Sequence, residues 1–404
     1  MTERSNAREA VILSAVRTPM GRYQGALGGL SATELGAAAV RAAVERAAID
    51  PARIDEVLMG NVVGAGTGQA PARQAALFGG LPDSTPASTI NKVCGSGLKA
   101  CMFGAQAIRA GDADLIVAGG MESMSTAPHL LRARTGLRYG DQSLEDSLLH
   151  DGLLDPFENW LMGDAAEYIA EKHEVTREAM DRWALASHEK AIAAIDSGKF
   201  ADELIPVEVP AKGGKVQVVE DETPRRDTSL DKLAALKPAF KKDGRVTAGN
   251  APGLNDGAAA VVLSSRRMAD EMGVRPLARV LAYAQAAVPP KELFIAPARA
   301  IPRLLDKLGW RFADVDLIEL NEAFAAQVLA DGYAMLEAGL DWDWDKVNVH
   351  GGAIALGHPV GASGARVLAT LIHALRDRNL RTGIAALCLG GGEAVAMAIE
   401  LNPA

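Results

Sequence analysis

The chain has 404 residues, 49% hydrophobic and 23% charged, with a net charge of −9 and three cysteines. These values fit a soluble globular protein of two or three domains, and the acidic balance argues against nucleic acid or an anionic membrane as the main partner. Three cysteines give no disulfide framework and point to a reducing, cytoplasmic setting; no apolar run reaches the length of a membrane span, the start Met1 to Arg8 is polar, and the final Leu401-Asn-Pro-Ala carries no recognisable address.

Ala10 to Ala15 predicts a short strand, followed by a turn at Arg17-Thr-Pro-Met-Gly-Arg22. Thr33 to Ala48 places Leu35, Ala39 and Ala43 on one helical stripe. Ile54 to Val62 reads as strand and Ala72 to Leu77 as helix. Then comes Asn91-Lys-Val-Cys-Gly-Ser-Gly-Leu-Lys-Ala100, with helical spacing from Leu98 to Arg109. Cys94 therefore falls on a strand-to-helix turn that Gly95 and Gly97 allow to bend sharply. A helix start favours the thiolate, which is the attacking form of cysteine. Asp114 to Glu122 is a buried strand, and this alternation of strand and helix implies a largely parallel α/β sheet.

From about Ser123 to Asn250, Pro, Arg and Asp become frequent and long apolar runs disappear. We read residues 124–253 as an inserted, irregular domain between an N-terminal α/β half, 1–123, and a C-terminal half, 254–404. In the latter, Leu277 to Ala284 and Val315 to Leu320 read as strands, with helices at Pro297 to Leu308 and Glu322 to Ala338. A glycine-rich cluster, Gly351 to Gly364, precedes a helix from Ala365 to Asp377, and Gly383 to Leu389 is a strand entering Gly390-Gly-Gly392.

The two α/β stretches echo one another. Ile54-Asp-Glu-Val-Leu-Met-Gly-Asn61 pairs with Val315-Asp-Leu-Ile-Glu-Leu-Asn321, Val93-Cys-Gly-Ser-Gly97 with Val360-Gly-Ala-Ser-Gly364, and Leu115-Ile-Val-Ala-Gly-Gly120 with Ala386-Leu-Cys-Leu-Gly-Gly391. Three echoes in one order indicate an internal duplication, with turns converging on a shared centre. Cys94 stands on such a turn, and Asn321, His358 and Cys388 stand on or beside the counterparts. A thiol nucleophile needs a proton acceptor near neutral pH, which His358 supplies. Asn321 heads a helix, where it serves either as an N-cap or to hold a water. Cys101 reads as core, and His129, His150, His173 and His188 as structural. No spacing suggests a metal site.

Asn91-Lys-Val-Cys-Gly-Ser-Gly-Leu-Lys, Val246-Thr-Ala-Gly-Asn, Asn321-Glu-Ala-Phe-Ala-Ala-Gln, Gly351-Gly-Ala-Ile-Ala-Leu-Gly-His-Pro-Val-Gly-Ala-Ser-Gly-Ala-Arg366 and Cys388-Leu-Gly-Gly-Gly resemble the signatures of the thiolases, and the likeness runs from about Glu9 to Leu401. The resemblance implies a duplicated, five-layered α-β-α-β-α fold with an inserted loop domain. It implies ping-pong acyl transfer: Cys94 takes an acyl group with His358 as base, and Cys388 removes an α-proton from acetyl-CoA. Oxyanion sites carry over onto His358 with a water held by Asn321, and onto the N–H groups of Cys94 and Gly390. Coenzyme A, as substrate and product rather than cofactor, is implied at Leu153, Met162, Arg225, Leu236, Phe240, Ala248, Gly253, Leu254, Ala323 and Phe324. A homotetramer or homodimer is implied, with Leu130 to Asp151 as the tetramer contact.

Three positions depart from the family pattern, Leu161, Pro252 and Phe294 in Leu293-Phe-Ile-Ala-Pro297, and all bear on the acyl pocket. The favoured reading is condensation of two acetyl-CoA to acetoacetyl-CoA and CoA, with the reverse thiolysis. The alternatives are a 3-ketoacyl-CoA thiolase of fatty-acid β-oxidation, acting on longer or branched chains, and a catalytically silent acyl-CoA-binding scaffold. A ketoacyl synthase of similar fold is argued against by Cys388.

Overall fold

Eight consecutive buried residues, Ala10–Arg17, form strand β1. Apolar side chains fill both faces, so the run shows no alternation of polar and apolar residues. The structure, a computed structural model, describes residues 7–137 and 139–401. Most of the polar start and of the C-terminal tetrapeptide read above lies outside the described residues.

Strands β2 (Glu56–Gly60), β3 (Ala87–Ile90), β4 (Leu115–Ser123) and β5 (Asn255–Ser265) join β1 in the order β3-β2-β4-β5-β1. β2 runs parallel to β3 and β4, whereas β5 is antiparallel to β4 and β1. The second half repeats the plan. Strands β6 (Ala278–Ala287), β7 (Leu317–Leu320), β8 (Thr382–Leu389) and β9 (Glu393–Leu401) lie in the order β7-β8-β9-β6. β7 is parallel to β8, and β9 is antiparallel to β8 and β6. Val347, bridged in parallel to Ile318, stands beyond β7 as β3 stands beyond β2. The duplication read from short sequence echoes is thus a duplication of topology. The two sheets meet at Val11↔Arg279 and Ile12↔Ala278.

Three apolar layers fill the spaces between helices and sheets. On one outside, Leu35, Val40 and Ala43 of α1 (Ala32–Ala47) and Ala72 and Ala75 of α2 (Pro71–Phe78) pack on Val57, Val117 and Val262. Helix α1 is started by Ser31, whose Oγ accepts from Glu34 N while the Glu34 carboxylate accepts from Ser31 N at 2.8 Å, a reciprocal cap. At the centre, Leu98, Met102 and Ala105 of α3 (Ser96–Ala110) meet Val367, Leu368 and Leu371 of α8 (Val360–Asp377), between the inner faces of both sheets. On the other outside, α6 (Pro297–Leu308) and α7 (Ala325–Glu337) pack on the second sheet together with α4 (Met162–Lys172) and α5 (Arg177–Asp196) of the insertion. β8 shows why both faces must be apolar: Leu387 and Leu389 point to the central layer, Ala386 and Cys388 to the outer one. Arg17, fully buried, ties β1 to the insertion through Glu203 (2.5 Å) and Asp221 (2.6 Å).

Two expectations are corrected. The boundary after residue 253 is too early, because β5 pairs with β4 from Asp256↔Ser123 to Ser264↔Leu115 and so completes the first sheet. The whole insertion intervenes between these neighbours, which is why a linear reading assigns β5 to the wrong half. Helix α8 begins at Val360 rather than Ala365. Gly361 and Gly364, read as loop, lie within it because neighbouring backbone leaves no room for side chains: a Cβ on Gly361 would lie 2.7 Å from Met121 O in β4, and α3 crowds Gly364. A Cβ on Gly364 would overlap Leu98 N, and one on Gly97 would lie 2.7 Å from Ala365 N.

Replacing Gly364 with Ala must therefore move α8 away from α3. We expect a stability loss of about 1–3 kcal/mol from overpacking, read as a lower urea midpoint, with activity falling along with it. An unchanged midpoint would show that the two helices do not need backbone contact.

Candidate active site

The turn from β3 into α3 carries Cys94. Val93, just before it, has φ +45°, a strained conformation for a β-branched residue. Local hydrogen bonds hold the turn: Val93 N donates to Asn91 Oδ1 (3.0 Å), Lys92 N to Ser96 Oγ (2.8 Å) and Ser96 Oγ to Val93 O (2.6 Å). Any Cβ at Gly95 would run into Leu389 and would lie 2.9 Å from Val395, so glycine lets the β8–β9 hairpin close over the turn. Burial pushes the Cys94 thiol up to about 11, while the Gly390 N–H pulls it down. The expected thiolate is corrected accordingly. Helix α3 starts at Ser96, beyond the sulfur, and loss of water outweighs its dipole. The resting group is a thiol and needs a base.

His358 precedes α8 and is nearly buried. Its N–H donates to Asn255 Oδ1 (2.9 Å), and its ring Nδ1 lies 2.6 Å from Ser363 Oγ. The Ser363 hydroxyl gives its one hydrogen to Pro359 O (2.9 Å). That assigns the ring proton to Nδ1 and leaves the Nε2 lone pair free. Burial, aided by the Arg366 charge, lowers the imidazole to about 3. It is neutral throughout the physiological range, the form that accepts a proton. Asn321 Nδ2 lies 3.5 Å from Nε2. Asn321 is not an N-cap, because α7 begins at Ala325 with Phe324 as its cap residue. Cys388 is buried near the end of β8. Its thiol is raised well above the ordinary range, first by burial and then by the negative charge Cys94 would carry. The following turn needs Gly391 (φ +84°) and Gly392 (φ +88°).

Cys94, His358, Cys388 and Gly390 line one apolar cavity of about 180 Å³. Of the positions tied to coenzyme A, Leu153, Met162, Phe240, Gly253, Leu254, Ala323 and Phe324 line it too. Arg225 and Ala248 instead line an adjoining groove of about 550 Å³ with Arg22 and Arg226. The groove shares Ala251, Gly253 and Leu254 with the cavity, so the two adjoin across these residues. Leu236 lines neither and packs beside Leu233 on Gly249. Asn321, fully buried, lies behind His358 rather than on the wall. Leu161, Pro252 and Phe294 all face the cavity. Among the described residues no group of three or more His, Cys, Asp or Glu is placed to hold a metal ion.

Sequence reasoning missed the residues that hold this arrangement. Glu122, at the end of β4, accepts from Asn61 Nδ2 (2.8 Å), Val62 N (3.1 Å), Val63 N (3.2 Å) and, across the halves, Gly361 N (2.9 Å) at the start of α8. It thus satisfies a free helix N–H and fixes α8 against the Cys94 half. Burial raises it to about 7 against the pull of those amides. Asn255, from β5, holds the His358 backbone. One signal was available: an acid closing a wholly apolar strand demands donors, though not which ones.

Residues 10–267 match the family model of the thiolase N-terminal domain and 274–401 that of the thiolase C-terminal domain. The chain is 54% identical to an acetyl-CoA acetyltransferase of Pseudomonas aeruginosa, over 97% of this chain and 99% of that one. It is 51% identical to an acetyl-CoA acetyltransferase of Cupriavidus necator, over 97% and 99%. The crystal structure of the Bacillus anthracis acetyl-CoA acetyltransferase superposes with a TM-score of 0.95 at 44% identity, covering 98% of this chain and all of that one. With both family models matched across nearly its whole length, this chain belongs to the thiolase family.

Proposed function

We propose that this protein is an acetyl-CoA C-acetyltransferase that condenses two acetyl-CoA to acetoacetyl-CoA and CoA, and runs the reverse thiolysis. The observation that carries the reading is the meeting of two thiols and a neutral imidazole, from both halves, in one apolar cavity. His358 Nε2 takes the Cys94 proton as the sulfur attacks the thioester carbonyl. The tetrahedral oxyanion is held by the N–H groups of Cys94 and Gly390; one such donor is worth about 3 kcal/mol. The C–S bond to CoA breaks, and the CoA sulfur takes the proton of Cys388. Acylation holds Cys94 as an uncharged thioester, so no Cys94 charge opposes ionisation of Cys388. The Cys388 thiolate then takes an α-proton from acetyl-CoA, and the enolate attacks the Cys94 thioester. The Cys94 sulfur leaves and regains its proton from His358, so every group returns to its starting state. The thioester acidifies the α-proton, and the reading calls for no cofactor.

The groove with Arg22, Arg225 and Arg226 is suited to the charged nucleotide end of coenzyme A, and Phe240 and Leu254 to the pantetheine arm. Exposed Leu131, Leu137, Tyr139 and Leu144 on the insertion support burial in a homotetramer or homodimer. Arg138 of that segment lies outside the described residues. No helix among the described residues is long and apolar enough to cross a membrane; the cysteine usage supports the cytoplasm.

Cys94→Ala abolishes the acyl-enzyme seen by mass spectrometry. Cys388→Ala still acylates Cys94, more slowly because the departing CoA sulfur loses its proton donor, but loses α-proton exchange by about a thousandfold or more; retained exchange would remove Cys388 as the base. Acylation by acetyl-CoA changes less than about threefold between pH 6 and 8.5, because His358 stays neutral and Cys94 stays a thiol across that range. Attack by a pre-formed thiolate would instead rise about tenfold per pH unit below its pKa. With 3-oxoacyl-CoA substrates, thiolysis kcat/KM falls at least about tenfold from four to eight acyl carbons. A rise would favour the longer-chain reading, which Leu161 and Phe294 on the cavity wall keep open.

A further inference from the structure

Behind His358, away from the cavity, lies a guanidinium whose part so far is only to help burial keep the imidazole neutral. Arg366 stands two turns into α8 and has no exposed surface. Its NH1 is 3.7 Å from Glu319 Oε2, beyond hydrogen-bond reach. Nε and NH1 have no hydrogen-bond partner among the described residues. The contact it does make runs from NH2 to Asn321 Oδ1, at 3.4 Å. A buried charge with unpaired donors destabilises a core. Local costs of this kind concentrate where function needs them.

The direction of that contact matters. A guanidinium has donors and no acceptor. It can face only the oxygen of a carboxamide, so Oδ1 of Asn321 is held toward Arg366. The other end, Nδ2, is thereby turned to His358, where it lies 3.5 Å from Nε2. In the resting site the Nε2 lone pair also selects Nδ2; once Nε2 carries a proton that preference is gone, and the Arg366 contact alone distinguishes the two amide orientations. The flipped form would present an oxygen, which repels an anion.

We propose that Arg366 is a positioning residue, locking the Asn321 carboxamide with its N–H side toward the reacting centre. This rests on the function proposed above. Once Nε2 has taken the Cys94 proton, Nε2–H and Nδ2–H are two donors directed at one region, suited to the oxygen of the acetyl-CoA enolate, either directly or through a water. The tetrahedral oxyanion on Cys94 has its own donors, at Cys94 and Gly390. Arg366 therefore serves the carbon–carbon step and not the acylation.

The test separates the two half-reactions in Arg366→Lys, which keeps a positive charge beside Glu319 and Glu203, and in Arg366→Gln, which can face either end of the amide. We expect α-proton exchange of acetyl-CoA on the acylated enzyme to fall about 10- to 100-fold, with Cys94 acylation within about twofold of the parent. In an Asn321→Ala background the same Arg366 change should alter exchange less than about twofold, because its route of action is gone. Equal loss in both half-reactions, or losses that multiply in the double variant, would overturn the proposal and assign Arg366 to folding alone. If Arg366→Gln does not fold, Arg366→Lys decides by the same criteria. Failure of the unmodified protein to acylate Cys94 would instead sink the proposed function, a distinct result.

Discussion

The backbone contact between α3 and α8 is the constraint on which the rest depends. Each helix begins beside a reactive group: α3 just after Cys94, α8 just after His358. Gly97 and Gly364 let the helices touch without side chains between them, and Glu122 fastens the start of α8 to the half that carries Cys94. Relative placement of sulfur and imidazole is therefore set by helix packing rather than by flexible loops. Packed interiors resist small displacements, so the geometry is held before substrate arrives.

Burial is the second theme, and it has opposite effects on the reactive groups. It raises both thiols and lowers the imidazole, because each time it disfavours the charged form. The resting site is therefore uncharged in its three central groups. In the proposed reaction charge arises only as protons move between them, in a cavity whose walls are almost wholly apolar. Interactions between those transient charges and fixed N–H donors are stronger there than in water. The strained Val93 and the incompletely hydrogen-bonded guanidinium of Arg366 are local costs beside this site, offset by the large buried core around it.

The insertion completes the site rather than decorating it. Met162, Phe240 and Gly253 come from it and close one side of the cavity. It is bound to the duplicated core by Arg17 with Glu203 and Asp221, and by Trp183 Nε1 and Ser187 Oγ donating to Glu322 at 3.0 and 2.7 Å. Those ties hold the region suited to a bulky cofactor-like substrate against the region where bonds are made and broken.

The sequence by itself singled out Cys94, His358, Cys388 and Asn321 as candidates, and showed that the α/β plan around them is repeated in two similar halves. Apolar runs marked the buried strands, and glycines flanked Cys94, His358 and Cys388, because tight turns leave a recognisable local composition. It did not reveal that β5 returns across the insertion to the first sheet, since strand pairing between distant segments has no local signature. It misjudged Gly361 and Gly364 as loop, because a glycine required by a neighbouring strand or helix looks the same as one required by a turn. It also assigned a thiolate to Cys94, since helix ends are legible in a chain but loss of water is not. Glu122, Asn255 and Arg366 gained their roles only from the folded neighbours they touch. Chemistry of individual side chains is written residue by residue, whereas protonation and orientation are set by surroundings that exist only once the two halves are packed.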